Sequence, residues 1–322
     1  MTPPKLLFAA ATFCTLAGTV SAERIFVSNE KDNTITVLDG QSLAITDTVK
    51  VGQRPRAILL STDGKSLYIC ASDSDRIEVL DLATLKIVRT LPSGPAPERF
   101  DTSPDGKFLY IANENDNKVS TLDVAAGKIV AETPVGIEPE GMAVSPDGKT
   151  VVDTTETTSM AHFIDTDTHK VVANVLVDSR PRVAAWTPDG KQVWVSSEVG
   201  GAVAVIDAAT HAILKKITFE IPGLTSGKAQ PVDIKITKDG KTAFVALGPA
   251  NRVAVIDTKS FEVGKYILVG QRDWNMAFSP DQKRLFTANG VSNDITVIDV
   301  GDQKATKSVP VGRSPWGVAV AP

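Results

Sequence analysis

The chain has 322 residues, 42% hydrophobic and 22% charged, with a formal net charge of -4. That length supports a sizeable core without staples, and the acidic balance argues against wholesale binding to nucleic acid or to an anionic membrane surface. Beyond the N-terminal segment, no stretch is apolar for long enough to form a spanning helix.

The first residues read as an export signal. Lys5 supplies a positive start, Leu6 to Val20 is an apolar run, and Val20-Ser21-Ala22 places small residues before a cleavage point at Glu23. The expectation is a signal peptide over 1–22, a single domain over 23–322, and a periplasmic location. Cleavage removes Cys14 and leaves Cys70 as the one thiol, so no internal disulfide forms. Cys70 stands in an apolar strand run and is expected to be a buried, inert thiol.

From Arg24 onward the sequence repeats itself. A hydrophobic residue followed by Asp recurs at Leu38-Asp39, Leu80-Asp81, Leu122-Asp123, Ile164-Asp165, Ile206-Asp207, Ile256-Asp257 and Ile298-Asp299, in steps of 42, 42, 42, 42, 50 and 42. A turn signal keeps register with it: Thr62-Asp63-Gly64, Pro104-Asp105-Gly106, Pro146-Asp147-Gly148, Pro188-Asp189-Gly190, Lys238-Asp239-Gly240 and Pro280-Asp281-Gln282. Within one unit, Arg99–Ser103, Phe108–Asn113, Val119–Asp123 and Lys128–Thr133 read as strands A to D, rich in β-branched residues and separated by tight turns. Four strands per 42 residues is the size of a propeller blade. The chain starts on a B strand, Ile25–Asn29, and ends on an A strand, Trp316–Val320. The expected fold is therefore an all-β, seven-bladed β-propeller with four antiparallel strands per blade. Its last blade is closed by N-terminal strands plus the C-terminal strand.

The strand-B strings Ile25-Phe26-Val27-Ser28-Asn29, Leu109-Tyr110-Ile111-Ala112-Asn113 and Leu285-Phe286-Thr287-Ala288-Asn289 resemble the YVTN-repeat β-propeller family. Longer strings break the repeat's own consensus: Ser28 to Asn33, Glu156 to Asp165, Phe219 to Gly223, Ala246 to Asp257 and Val311 to Val320. They resemble the periplasmic β-propellers associated with catabolism dependent on pyrroloquinoline quinone (PQQ). The resemblance implies a metabolic association with PQQ-linked alcohol oxidation, with PQQ as a candidate ligand. It also implies a PQQ-dependent dehydrogenase, or an associated transporter component, as a candidate partner. It supplies no catalytic residue set.

In a propeller, the loops joining blades and the loops between strands B and C share one face around the central channel, where functional groups tend to gather. The blade-joining loops offer Arg54 and Arg56, Arg180 and Arg182, Arg272 and Trp274, and Arg313 and Trp316. Arginine forks grip carboxylates and indoles stack on flat rings, so an arc of these residues would suit a planar, anionic, aromatic ligand. The competing expectation is that the arginines pair with Glu98, Glu138, Glu140, Asp233 and Asp273 and lock the channel. Glu98, Glu140, Asp233, Glu156 and His162 form a second tier of candidates, His162 being otherwise an inter-blade structural histidine. The acidic B–C loops, Glu30 to Asn33, Asp73 to Asp75 and Glu114 to Asn117, read as turn chemistry more than as a calcium site. The three histidines His162, His169 and His211 do not converge in the repeat, and no metal site is expected. The fifth blade-joining segment, Phe219 to Gln230, carries the longer step and reads as an added loop on the channel face.

The preferred expectation is a non-enzymatic binding or accessory propeller. A channel-face enzyme, either a sugar or lactone hydrolase or an oxidoreductase, and a purely interacting propeller are the alternatives. No Gly-x-Ser-x-Gly elbow, Cys–His pair, phosphate loop, dinucleotide fingerprint or haem-attachment motif is present.

Overall fold

The computed structural model describes residues 23–225 and 227–322, so the expected leader over 1–22 lies outside the described residues. Among the described residues, twenty-eight strands form seven four-stranded antiparallel sheets. Their innermost strands, blade one to blade seven, are Pro315–Ala321, Pro55–Leu60, Pro97–Thr102, Pro139–Val144, Pro181–Trp186, Asp233–Ile236 and Asp273–Phe278. Each inner strand packs against the next around the circle, and Asp273–Phe278 packs against Pro315–Ala321, so the ring is closed. Among the described residues no helix is long and apolar enough to cross a membrane. The strands of the unit read from sequence run Pro97–Thr102, Phe108–Asn113, Lys118–Asp123 and Lys128–Pro134. Those bounds lie within two residues of the expected ones, because turn residues set them.

The repeat's invariant aspartates close the turns. Each strand-C Asp accepts the backbone N–H three residues on, at 2.7–2.8 Å, in all seven blades, from Asp39–Ser42 through Asp299–Asp302. In the hairpins between strands A and B, the Asp side chain accepts a Ser or Thr hydroxyl two residues earlier, as Asp63 does from Ser61 at 2.6 Å. It also accepts the N–H two residues later, as from Lys65 at 3.1 Å. These bonds hold Asp63 and its counterparts below the ordinary aspartate value. His169 and His211 occupy left-handed positions of the C–D turns, at φ 55° and 59°, the first beside Thr121 and the second against Phe163.

The core lies between blades. Phe26, Val37, Ile58, Ile69, Leu80 and Ala319 form one cluster that spans blades one and two. Cys70 is fully buried in another cluster, and burial pushes its thiol well above the usual cysteine value, as an inert thiol requires. Closure pairs the two ends of the chain: Ile25 opposes Val320, Phe26 opposes Ala319 and Val27 opposes Val318.

Deleting Ser314–Pro322 strips the inner strand from blade one and removes the buried indole of Trp316. Losing that one large side chain costs about 3–5 kcal/mol, so the melting temperature should fall by about 10 °C or more, as scanning calorimetry would read it. An unchanged melting temperature would contradict closure by the C-terminal strand.

Candidate functional site

Each blade reaches the channel through the same local device. A residue with left-handed backbone precedes the inner strand in six of the seven blades: Arg54, Ala96, Glu138, Arg180, Arg272 and Ser314. In five blades an Asn or Asp at the end of a B–C loop accepts that residue's N–H: Asn33 from Arg54 and Asn251 from Arg272, both at 2.9 Å, and likewise Asp75, Asn117 and Asn293. The acidic B–C loops therefore do turn chemistry, as expected. Among the described residues no group of three or more potential ligands forms a metal site.

The residue after each leading Pro, or after Asp273 in blade seven, heads the inner strand on this face. In ring order these are Trp316, Arg56, Glu98, Glu140, Arg182, Val232 and Trp274, of which Val232 packs into the core between blades six and seven. Above them stand glutamates from B–C loops, and two ion networks form. In the first, Glu98 lies 3.1 Å from Arg54 and 3.2 Å from Arg56, and Glu30 lies 3.5 Å from Arg54. In the second, Arg182 meets Glu140 at 2.7 Å and also pairs with Glu156. Glu156 further binds Arg180 at 2.8 Å, and Glu198 binds Arg272 at 2.5 Å. Arg182 is held protonated by the three glutamates against the effect of burial. Burial pushes Glu156 up to about 7, against the pull of Arg182. Glu98 is raised as well, by burial and by Glu140.

The indoles belong to the same layer. The Arg272 guanidinium stands 4.1 Å from the Trp274 ring centre, and Arg182 stands 5.6 Å from it. Trp316 is only 1% exposed and carries Arg56 at 5.1 Å and Arg99 at 5.0 Å. Trp274 needs a glycine above it, since a Cβ on Gly290 would stand 2.6 Å from its Nε1. The expected arc does come to the channel, with one correction: Arg313 does not join it. Its exposed side chain turns to Asp32 at 2.5 Å. The remaining arginines and indoles are matched to carboxylates and to one another, so the layer closes the channel on this face.

The second-tier residues divide. Glu98, Glu140 and Glu156 are the counter-charges of the layer, joined by Glu198, which no expectation includes, and by Glu30, expected in turn chemistry. Glu138 contacts Thr157 at the rim. Asp273 is fully buried, its carboxyl well above the ordinary range because of that burial, and makes no ion pair among the described residues. His162 does not act with Glu156. Its Nε2 accepts the Gly136 N–H at 3.1 Å, so the proton sits on Nδ1 and is donated to Asn174 at 2.5 Å. Burial lowers its pKa, so it is a neutral structural histidine that ties its blade to the preceding linker. Other blades make this tie with Glu78 to Gly52 and Thr296 to Gly270.

Below the closed layer the channel opens toward the hairpins. Arg99 crosses it to Asn275 Oδ1 at 2.7 Å, and Asn275 donates to the Trp316 carbonyl at 2.8 Å. Under this crosspiece lies a funnel of about 550 Å³, walled by inner strands of all seven blades and by Trp186. Its charged groups are Arg99, Asp101 and Lys235. Lys235 lies 3.1 Å from Asp233. Asp101 accepts the N–H groups of Val144 and Thr102, each at 2.8 Å, and burial pushes it up to about 6. The loop residues carry no mark of this site; the inner strands do. At the repeat position of Leu59, Ala143, Ala185, Ala277 and Ala319, blades three and six carry Asp101 and Lys235.

Comparison with known proteins supports a β-propeller family. A family model of YNCE-like β-propellers matches residues 5–104, and one of seven-bladed lactonase β-propellers matches residues 166–311. No curated protein matches the chain. Among solved structures, hydrazine synthase from Kuenenia stuttgartiensis is similar at 24% identity and a TM-score of 0.78, over 85% of this chain and 92% of that one. A putative 6-phosphogluconolactonase from Bacteroides uniformis is similar at 17% identity and a TM-score of 0.77, over 93% of this chain and 99% of that one. A dihydro-heme d1 dehydrogenase is similar at 15% identity and a TM-score of 0.69, over 92% of this chain and 74% of that one. At these identities the likeness to solved structures is one of fold.

Replacing Arg182 by Met leaves Glu140, Glu156 and Glu198 facing one another without their shared cation. Unfolding in urea should show a loss of about 3–5 kcal/mol at about pH 8, where Glu156 is charged, and a smaller loss at about pH 5, where Glu156 takes up a proton. An equal loss at both values would mean that Arg182 acts by packing and not by charge.

Proposed function

We propose that the protein is a non-enzymatic binding propeller of the cell envelope that holds a small anionic ligand in its central channel. The observation that carries this reading is the blind funnel: closed at the linker face by matched charges, open toward the hairpins, and furnished with Arg99 and Lys235. A concave, mostly apolar cavity with a few placed polar groups is the usual form of a small-molecule site. The envelope location rests on the leader-like Leu6–Val20 run. The link to PQQ-dependent alcohol oxidation, with PQQ as ligand and a PQQ-dependent dehydrogenase or transporter component as partner, rests on the sequence resemblance. Because the indoles of the closed layer are covered by guanidinium groups, a planar ligand would enter from the hairpin face. It would not stack between Trp274 and Trp316.

A second reading, a lactone hydrolase, is favoured by Asp101 and by the lactonase match over residues 166–311. A carboxyl pushed up to about 6 beside cationic groups is placed to serve as a general base.

Calorimetric titration of the mature protein with PQQ and with gluconolactone, followed by a pH-stat assay on the lactone, separates the readings. The binding reading expects a saturable heat without base consumption above buffer. Lactone opening that Asp101→Asn abolishes would replace it with the hydrolase. Absence of any heat with either compound would count against a channel site for this ligand class.

A further inference from the structure

We propose that the funnel on the hairpin face selects small carboxylates with an apolar body, holding the carboxylate between Lys235 and Arg99 and the body along the inner-strand wall. This deepens the binding reading above and rests on it.

The placement of charge is selective. Two repeat positions of each inner strand are concerned: that of Ala57, Arg99, Gly141, Val183, Asp233, Asn275 and Gly317, and that of Leu59, Asp101 and Lys235 and their counterparts. Charge occurs there only in blade three, with Arg99 and Asp101, and in blade six, with Asp233 and Lys235. Those blades are separated by two others on one side of the ring, so the charged pairs face each other across the axis. Apart from Asn275, which receives Arg99, the other blades carry small or apolar residues at these positions, which leaves the funnel its width.

Each of the four groups has an assigned bond except where a ligand would stand. Asp233 is held by Lys235 and by the Met276 N–H at 2.7 Å. Asp101 is held by two backbone N–H groups. Lys235 has one carboxylate partner for three donors, and its side chain keeps 32% of its surface exposed. Arg99 gives one bond to Asn275, while its Nε is buried with no partner among the described residues. The unused hydrogen-bonding capacity at the floor is therefore donor capacity, carried by two cations, and a carboxylate supplies the matching acceptors. Above the floor, Trp186 is anchored by its Nε1 to the Ala143 carbonyl at 3.1 Å, and Leu60 and Val320 line the same wall. That wall takes an apolar body and offers it no polar partner.

Asp101 adds a pH dependence. The groups facing it are the Thr102 and Val144 N–H groups, Lys235 and Arg99. As pH rises past its value of about 6 it becomes anionic, competes for Lys235, and weakens carboxylate binding.

Naphthoate and its uncharged counterpart naphthylmethanol, titrated into the mature protein and followed by Trp fluorescence, test the proposal. Naphthoate should bind about tenfold or more tighter than the alcohol. Lys235→Met should remove that difference while leaving alcohol binding unchanged, and circular dichroism checks the fold. Ala277→Trp, which fills the funnel, should abolish both. In Asp101→Asn the affinity for naphthoate should no longer fall between about pH 5 and pH 8. Tight naphthoate binding that survives Lys235→Met overturns this inference and leaves the channel reading intact. Binding of both probes that survives Ala277→Trp overturns the channel reading itself.

Discussion

Closing a ring forces one strand from each of seven blades onto a common axis, and the rest of the structure follows from that crowding. Each repeat position places its seven residues in one circle around that axis. A charge there must find its opposite or be absent. The chain obeys this at two levels. At the linker face, arginines and glutamates pair closely enough to neutralise one another, and the two indoles stack against those arginines. Deeper in, charge is confined to two facing blades, and small residues elsewhere keep the passage open.

The paired layer has a thermodynamic character of its own. Its carboxylates are buried, and burial raises Glu98 and Glu156 even with arginines beside them. Buried ion pairs of this kind contribute little net stability against an apolar filling, but removing one partner is costly. Their effect is to fix which side chain stands where at the axis and to exclude water from one end. This turns a through-channel into a blind funnel, and a blind funnel with cations at its floor is a receptacle for a ligand.

The fold was legible in the sequence because turn chemistry repeats. The strand-C aspartates mark all seven blades and a hairpin Asp marks six of them, and both marks have a direct bond behind them. The closed layer was half legible. Arg54, Arg56, Arg182 and Arg272 were placed at the channel from their loops, yet Glu198 and Glu30 were not recognised as their partners, because B–C loop acids look like turn residues. Arg313 was misplaced because its loop position matches the others while Asp32, one loop away, draws it outward. The funnel residues went unread for a different reason. Arg99, Asp101 and Lys235 lie inside strands, where a charge signals a site only once the seven strands are aligned and compared position by position.

Chemical access along the axis tests the one-ended channel most directly. A cysteine placed at Ala277, on the funnel wall, and one at Glu140, in the paired layer, can be exposed separately to a small charged thiol reagent, with buried Cys70 as the internal control. The account predicts rapid modification of Ala277→Cys in the native protein and none of Glu140→Cys until the protein is unfolded. Native modification of Glu140→Cys with protection of Ala277→Cys would contradict it, placing the open mouth on the opposite face.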